Sequence, residues 1–238
     1  MESTDIKYET IVQVMARSSS KRLKDKNIQP VGGHPLLAWS VRMAKLLPSV
    51  DRVIINTDSR DYADIAEEYG AETLFLRPGN LSGDTASISD VMSHAIWSLR
   101  HEYGLHDGDT FYAKLITFYP TSPFRNAAMC EQLIADLSMY KWVSVGVDTD
   151  MPWDKFYVKG NDGFEAVRSM IAPEKKIIPF FKGMGNFWGT TLKSMEKHKS
   201  VRKLTNPIEC VDIDTWEDLL LMEEIVINDL YDFGVKLW

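Results

Sequence analysis

The stretch that decides the fold is Ile11-Val12-Gln13-Val14-Met15-Ala16-Arg17-Ser18-Ser19-Ser20-Lys21-Arg22-Leu23-Lys24-Asp25-Lys26-Asn27. Ile11–Met15 is a short, apolar-rich run and predicts a first strand. The chain then turns abruptly polar, with three serines and five cations from Arg17 to Lys26. Such a segment cannot enter a core, because unpaired charges are too costly to bury. It can wrap a polyanion: small serines let backbone amides approach, and Lys and Arg neutralise phosphate oxygens. A strand followed by this loop implies a nucleoside-triphosphate loop.

The rest of the chain sets that loop apart. The protein has 238 residues, 45% of them hydrophobic, and a net charge of −7. That is enough apolar material for a full core. The acidic balance excludes the broad basic surface that nonspecific nucleic-acid binding needs. Positive charge required for function must therefore be local. The two cysteines, Cys130 and Cys210, are far apart and predict reduced, mostly buried thiols. His34, His94, His101, His106 and His198 show no metal-ligand spacing. Met1–Thr10 lacks a basic and apolar leader, and no apolar stretch is long enough to span a bilayer. A cytoplasmic protein without membrane partners is expected.

Outward from the first strand, short apolar runs alternate with helical periods. Strands are predicted at Arg52–Asn56, Thr73–Leu76, Phe111–Phe118, Trp142–Val147 and around Phe187-Trp188. Helices are predicted over Leu36–Leu47, Asp61–Tyr69 with a stop at Gly70, Ser87–Tyr103 with a stop at Gly104, Ala127–Ser138, and from Thr215 onward. Repeated β-α-β units predict an α/β fold: a doubly wound, mostly parallel, Rossmann-like sheet with helices on both faces. Ligands bind such sheets at the carboxyl ends of the strands. Four polar loops fall there: Ala16–Asn27, Thr57-Asp58, Arg77–Thr85 and Tyr119–Arg125. The pattern breaks over residues 148–182, where Met151-Pro152-Trp153, Tyr157 and Phe164 lie among lysines. One domain spanning 1–238, with 148–182 as an insertion contributing to a dimer interface and acceptor pocket, is the expected organisation.

The order of motifs carries a resemblance. Ala16-Arg17-x-x-Ser20-Lys21-x-x-x-x-Lys26-Asn27 resembles the opening signature of the acylneuraminate cytidylyltransferases, the CMP-sialic acid synthetases and their relatives. Gly32-Gly33-x-Pro35-Leu36-Leu37, Asn56-Thr57-Asp58-Ser59, Tyr69-Gly70-Ala71, Leu76-Arg77-Pro78, Leu81-x-x-Asp84-Thr85-Ala86-Ser87, Pro120-Thr121-Ser122-Pro123-Phe124-Arg125 and Asp212-Ile213-Asp214-Thr215 follow collinearly. The resemblance covers most of residues 11–147 and 205–226. It implies a CTP-binding fold, a homodimer, Mg²⁺, and attack of a 2-keto-3-deoxy sugar acid's anomeric hydroxyl on the α-phosphate of CTP, releasing pyrophosphate.

Residue roles follow from that resemblance and from chemistry. Ala16, Arg17, Ser18, Ser20 and Lys21 would hold the triphosphate, with Arg17 and Lys21 offsetting charge during transfer. Lys26 and Asn27 would reach the phosphates or cytidine, where a charge run alone would read as a solvated loop. By the resemblance Arg77, directed by Pro78, would help hold the base, where its residue type alone fits an ordinary surface ion pair equally well. Asp84, Thr85 and Ser87 could bond the nucleotide or sugar, while Thr85 or Ser87 could cap the next helix. Asp212 and Asp214 read as a strand-end pair on one face, suited to Mg²⁺, or as a helix cap. Asp214 joins Arg17 and Lys21 as a candidate catalytic residue. Tyr119, Thr121, Ser122, Arg125 and Lys182 fall at the acceptor positions.

The sequence departs from the family pattern on the acceptor side. Tyr119 stands where the family commonly has Gln, and Lys182-Gly183-Met184-Gly185-Asn186 stands where it has Arg-x-Asn-Gly-Ala. Gln and Tyr differ in donors, acceptors and size, and Lys cannot replace a bidentate Arg. An unusual acidic acceptor is implied: a modified nonulosonate, an octulosonate or an anionic phosphonate. The alternatives are CTP-dependent activation of a non-sugar acid, or a nucleotide-binding protein that has lost catalysis.

Overall fold

A computed structural model of the protein describes residues 9–83, 85–106, 111–149, 157–160, 163–166, 180–193 and 195–238. The predicted first strand is β1 (Glu9–Met15), buried from Ile11 onward. The chain continues through β2 (Pro30–Val31), β3 (His34–Pro35), α1 (Leu36–Leu46), β4 (Arg52–Asn56), α2 (Arg60–Glu68), α3 (Ile88–Glu102), β5 (Ala113–Phe118) and α4 (Ala127–Asp136). It then forms β6 (Tyr140–Thr149), β7 (Tyr157–Gly160), β8 (Gly163–Ala166), β9 (Phe180–Thr191), β10 (Lys197–Lys203) and α5 (Trp216–Ile227).

The main sheet has six strands in the order β10-β6-β9-β5-β1-β4. β1 pairs in parallel with both β4 and β5, which puts three carboxyl ends at one edge of the sheet. Alternation along β1 divides the core. Val12 and Val14 face the layer built by α1, α2, α4 and α5. Ile11 faces Ile54, Leu115 and the α3 residues Met92 and Leu99. Helices thus cover both faces, as a parallel sheet requires.

The helix ends follow local chemistry. Ser59 accepts from the Tyr62 amide to start α2, and Ser87 accepts from Asp90 to start α3. Thr215 and Asp218 form a reciprocal capping box on α5. Gly70 and Gly104, at φ 96° and 63°, supply the left-handed turns that end α2 and α3.

One expectation is corrected, and two features were not anticipated. Thr73–Leu76 is not a strand: Glu72 makes one isolated bridge to Ile54, after which Leu74 and Phe75 pack toward the α3 layer. β9 runs antiparallel between β5 and β6, so the sheet is mixed although mostly parallel. β10, Lys-His-Lys-Ser-Val-Arg-Lys, forms a sheet edge paired with β6 alone. The insertion is described only in part. Its described part is the ends of β6 and β9 and the antiparallel β7–β8 pair, and the other residues, Trp153 among them, lie outside the described residues. No helix among the described residues is long and apolar enough to cross a membrane.

Candidate active site

The loop after β1 closes on the loops it was expected to meet. The Ser18 amide and hydroxyl donate to the two carboxylate oxygens of Asp58, each at 2.8 Å. The Ser19 hydroxyl donates to the Ser82 carbonyl at 3.0 Å. Asn27 Nδ2 donates back to the Arg17 carbonyl at 2.9 Å. Asp25 turns the chain at φ 51°, a left-handed conformation that Asp tolerates better than most residues. The loop is therefore pinned at both ends, not a solvated charge run.

These contacts frame a cavity of about 450 Å³ at the carboxyl ends of β1, β4 and β5. Arg17, Ser20, Lys21, Arg22, Lys26, Asn27, Arg77, Tyr119, Thr121 and Asp214 line its polar part. Met15, Leu81, Ala86, Ile88 and Val91 supply apolar wall. Five cations face a single carboxylate, a local formal charge of +4 in a protein whose net charge is −7. Charges lining such a cleft act together on a polyanion.

Asp214 bridges Lys26 Nζ at 2.9 Å and Arg22 Nη1 at 2.7 Å. The Lys26 hydrogen bond, aided by Arg22, holds its carboxyl below the usual aspartate range. The Asp212–Asp214 segment is not a strand but an irregular link before α5, tied to the Tyr119–Arg125 loop by the Ile213 amide bonding the Thr121 carbonyl at 2.7 Å. The strand-face argument is thereby overturned: Asp214 lines the cavity, while Asp212 is exposed and does not. Nor does either cap α5, a task that Thr215 performs.

Arg77 is buried and lines the cavity. Its amide donates to the Thr57 carbonyl at 2.7 Å, and Nε and Nη2 bond Asn56 Oδ1 and O at 2.9 and 2.7 Å. Burial pushes its pKa down. Tyr119 also lines the cavity, its hydroxyl accepting from Trp188 Nε1 at 3.3 Å. Burial raises its pKa, so the phenol stays neutral.

Other predicted residues fall outside the cavity lining. Ala16 is buried, its amide on the Asn56 carbonyl at 3.1 Å, and Ser18 is committed to Asp58. Thr85 is exposed, and Ser87 caps α3. Asp84 lies outside the described residues. Ser122 is buried behind the wall, and Lys182 is exposed on β9. Arg125 is wholly buried. Its Nε, Nη1 and Nη2 bond the Asn186 carbonyl, Ser40 Oγ at 3.0 Å and the Tyr119 carbonyl at 2.6 Å, and it stacks over Phe118. Burial pushes its pKa down to about 10. Each nitrogen bonds inside the protein and the side chain is wholly buried off the cavity lining, so Arg125 braces Tyr119 from behind and is not placed to touch an acceptor.

Sequence reasoning missed Arg22 as a partner of Asp214, Asp58 as the clamp on the loop, and Asn56 as the clamp on Arg77. Asp58 and Asn56 carried a signal: both sit at the end of a predicted strand, in Asn56-Thr57-Asp58.

Comparison with known proteins agrees with this geometry. The cytidylyltransferase family model matches residues 11–108. The CMP-N,N'-diacetyllegionaminic acid synthase of Legionella pneumophila is 29% identical over 90% of this chain and 94% of its own length. The pseudaminic acid cytidylyltransferase of Campylobacter jejuni serotype O:2 is 27% identical over 87% of this chain and 91% of its own length. A CMP:2-keto-3-deoxy-manno-octonic acid synthetase solved with CTP superposes with a TM-score of 0.63 at 13% identity, over 93% of this chain and 99% of that one, a likeness of fold. With its basic loop and its strand-end cavity, the chain is similar to the cytidylyltransferases, whose family model it matches over residues 11–108.

Proposed function

We propose that this protein transfers CMP from CTP to an acidic 2-keto-3-deoxy sugar of the nonulosonate or octulosonate type. The anomeric oxygen would form a bond to the α-phosphorus of CTP. The bond from that phosphorus to the oxygen bridging to the β-phosphate would break, releasing pyrophosphate, and the hydroxyl proton would leave to solvent. The observation that carries this reading is the cavity's five cations against one carboxylate at the strand ends. Such a site can compensate the charge of a triphosphate, and phosphoryl transfer asks little else of a protein than positioning and charge stabilisation. Arg17 and Lys21 would neutralise the phosphates. Tyr119 and Thr121 would meet the acceptor.

Magnesium fits the donor set in a limited way. The described residues hold no cluster of three or more His, Cys, Asp or Glu suited to a metal. Asp214 nevertheless places an ionised carboxylate among the cations, and Mg²⁺ is commonly held by one or two carboxylates plus substrate phosphates. Asp214 would hold the ion, and the ion when bound would offset phosphate charge. Asp214→Asn should raise the Mg²⁺ concentration needed for half-maximal activity, and an unmoved titration curve would remove Asp214 from the metal. By the same family reading the protein would work as a homodimer through residues 148–182.

Calorimetric titration with CTP tests the nucleotide reading. Binding that weakens steeply as salt is raised is expected from a site of this charge. The absence of any CTP binding, with or without Mg²⁺, would overturn it.

A further inference from the structure

Behind Arg77 lies a chain of buried polar groups that packing does not explain. Gln13 is 0% exposed in the middle of β1, among Ile11, Val12 and Val14. It sits in register with Ile54 of β4 on one side and Thr117 of β5 on the other. A buried amide costs free energy unless its hydrogen bonds are made, and an aliphatic side chain would fill the same space without that cost. Here the bonds are made, and they run in one direction. Arg77 Nε donates to Asn56 Oδ1 at 2.9 Å. Asn56 Nδ2 donates to Gln13 Oε1 at 2.9 Å. Gln13 Nε2 donates to Thr117 Oγ1 at 2.9 Å, and the Thr117 hydroxyl points on to Met92 Sδ at 3.8 Å. Asn56 and Thr117 are likewise 0% exposed.

We infer that Gln13, Asn56 and Thr117 are positioning residues that fix the guanidinium of Arg77 for the nucleotide. The inference rests on the reading that this cavity takes CTP. Each link orients the next. Gln13 Nε2 donates both to Thr117 Oγ1 and to Met92 Sδ, the latter at 2.6 Å. A thioether can only accept, so this pair keeps the amide nitrogen away from β4. Gln13 Oε1 then holds Asn56 with its oxygen toward Arg77. Asn56 thereby receives two guanidinium nitrogens, Nε on its side chain and Nη2 on its carbonyl. A guanidinium carries five N–H donors, so donors remain for a ligand. A long side chain ordered before the ligand arrives need not be ordered by it, and this raises affinity. The chain crosses three strands of the rigid sheet and ends at the cavity wall, so its effect should fall on ligand affinity.

The test is CTP calorimetry in Mg²⁺ buffer, with thermal melts, on Gln13→Leu, Thr117→Val, Thr117→Ser and Arg77→Met. Gln13→Leu and the nearly isosteric Thr117→Val should each weaken CTP binding by roughly three- to tenfold, the worth of one immobilised side chain. Thr117→Ser keeps the hydroxyl and should restore wild-type affinity whatever its melting temperature. If Gln13→Leu fails to fold, Thr117→Val against Thr117→Ser carries the test alone. Lowered melting temperatures with unchanged CTP affinity, while Arg77→Met binds CTP poorly, would make the relay purely structural and overturn the inference. Unchanged CTP affinity in Arg77→Met would instead overturn the nucleotide role of Arg77, and the relay's purpose with it.

Discussion

Lys21→Ala is the sharpest perturbation of the cavity. Lys21 is one of five cations lining it against Asp214 alone, so its loss lowers the formal charge from +4 to +3. A unit charge about 4 Å from a phosphate oxygen, at an effective dielectric of about 20, interacts by roughly 4 kcal/mol. Removing one stabilising donor from a transition state costs about 3–4 kcal/mol in comparable sites, or roughly two to three orders of magnitude in turnover. The assay is continuous pyrophosphate release at saturating CTP, Mg²⁺ and acceptor. Lys24→Ala is the matched control: Lys24 is exposed in the same loop and does not line the cavity. The account expects a loss of about two to three orders of magnitude for Lys21→Ala and none for Lys24→Ala. Equal activity in the two variants would refute the electrostatic argument.

Further perturbations separate the site from its scaffold. Tyr119→Gln should change the ranking of acceptors while CTP affinity holds, and a change confined to CTP binding would contradict the placement of Tyr119. Arg125→Met should lower stability by about 1–3 kcal/mol for each buried acceptor left without its bond, Asn186 O, Ser40 Oγ and Tyr119 O; a denaturant melt like that of the wild type would refute its bracing role. Tyr103 reports on the far end of the sheet. Burial, then the Glu9 carboxylate that accepts its hydrogen bond, raise its pKa to about 12, against an opposing Arg52. The fold therefore favours the protonated phenol. That contribution is complete below about pH 10, the ordinary tyrosine value, and is lost as pH rises through about 12. Tyr103→Phe should flatten the fall of melting temperature over this window, and an unaltered alkaline limb would contradict the assignment.

What the sequence revealed and concealed follows from the physics of each segment. Ile11–Met15, Arg52–Asn56 and the helices beginning at Leu36 and Ser87 were legible because a sheet covered on both faces leaves compact apolar runs, and caps punctuate the helices. β10 was not legible, since Lys197–Lys203 is an edge strand whose lysines keep the edge soluble rather than marking it as strand. Thr73–Leu76 has strand-like residues, but the one bridge to β4 is made by Glu72 just before it. At the site, the Arg17–Asn27 loop stood out by its charge, but its role and that of Arg77 were legible only through the resemblance, since charge alone fits a solvated loop or a surface ion pair equally well. Arg125 illustrates the opposite case. A cation in a matched motif looked like an acceptor contact, and only the fold shows its nitrogens satisfied by Ser40, Tyr119 and Asn186. Asp58 and Asn56 act through partners distant in sequence, which spacing does not report.

The most direct measurement of the central claim is pyrophosphate release from CTP and Mg²⁺ against a panel of acidic acceptors: legionaminic, pseudaminic and sialic acids, octulosonates and simple phosphonates. The account predicts release with one acceptor of the 2-keto-3-deoxy sugar class, abolished by Lys21→Ala. Release with a phosphonate alone, or no release with any acceptor despite tight CTP binding, would contradict it.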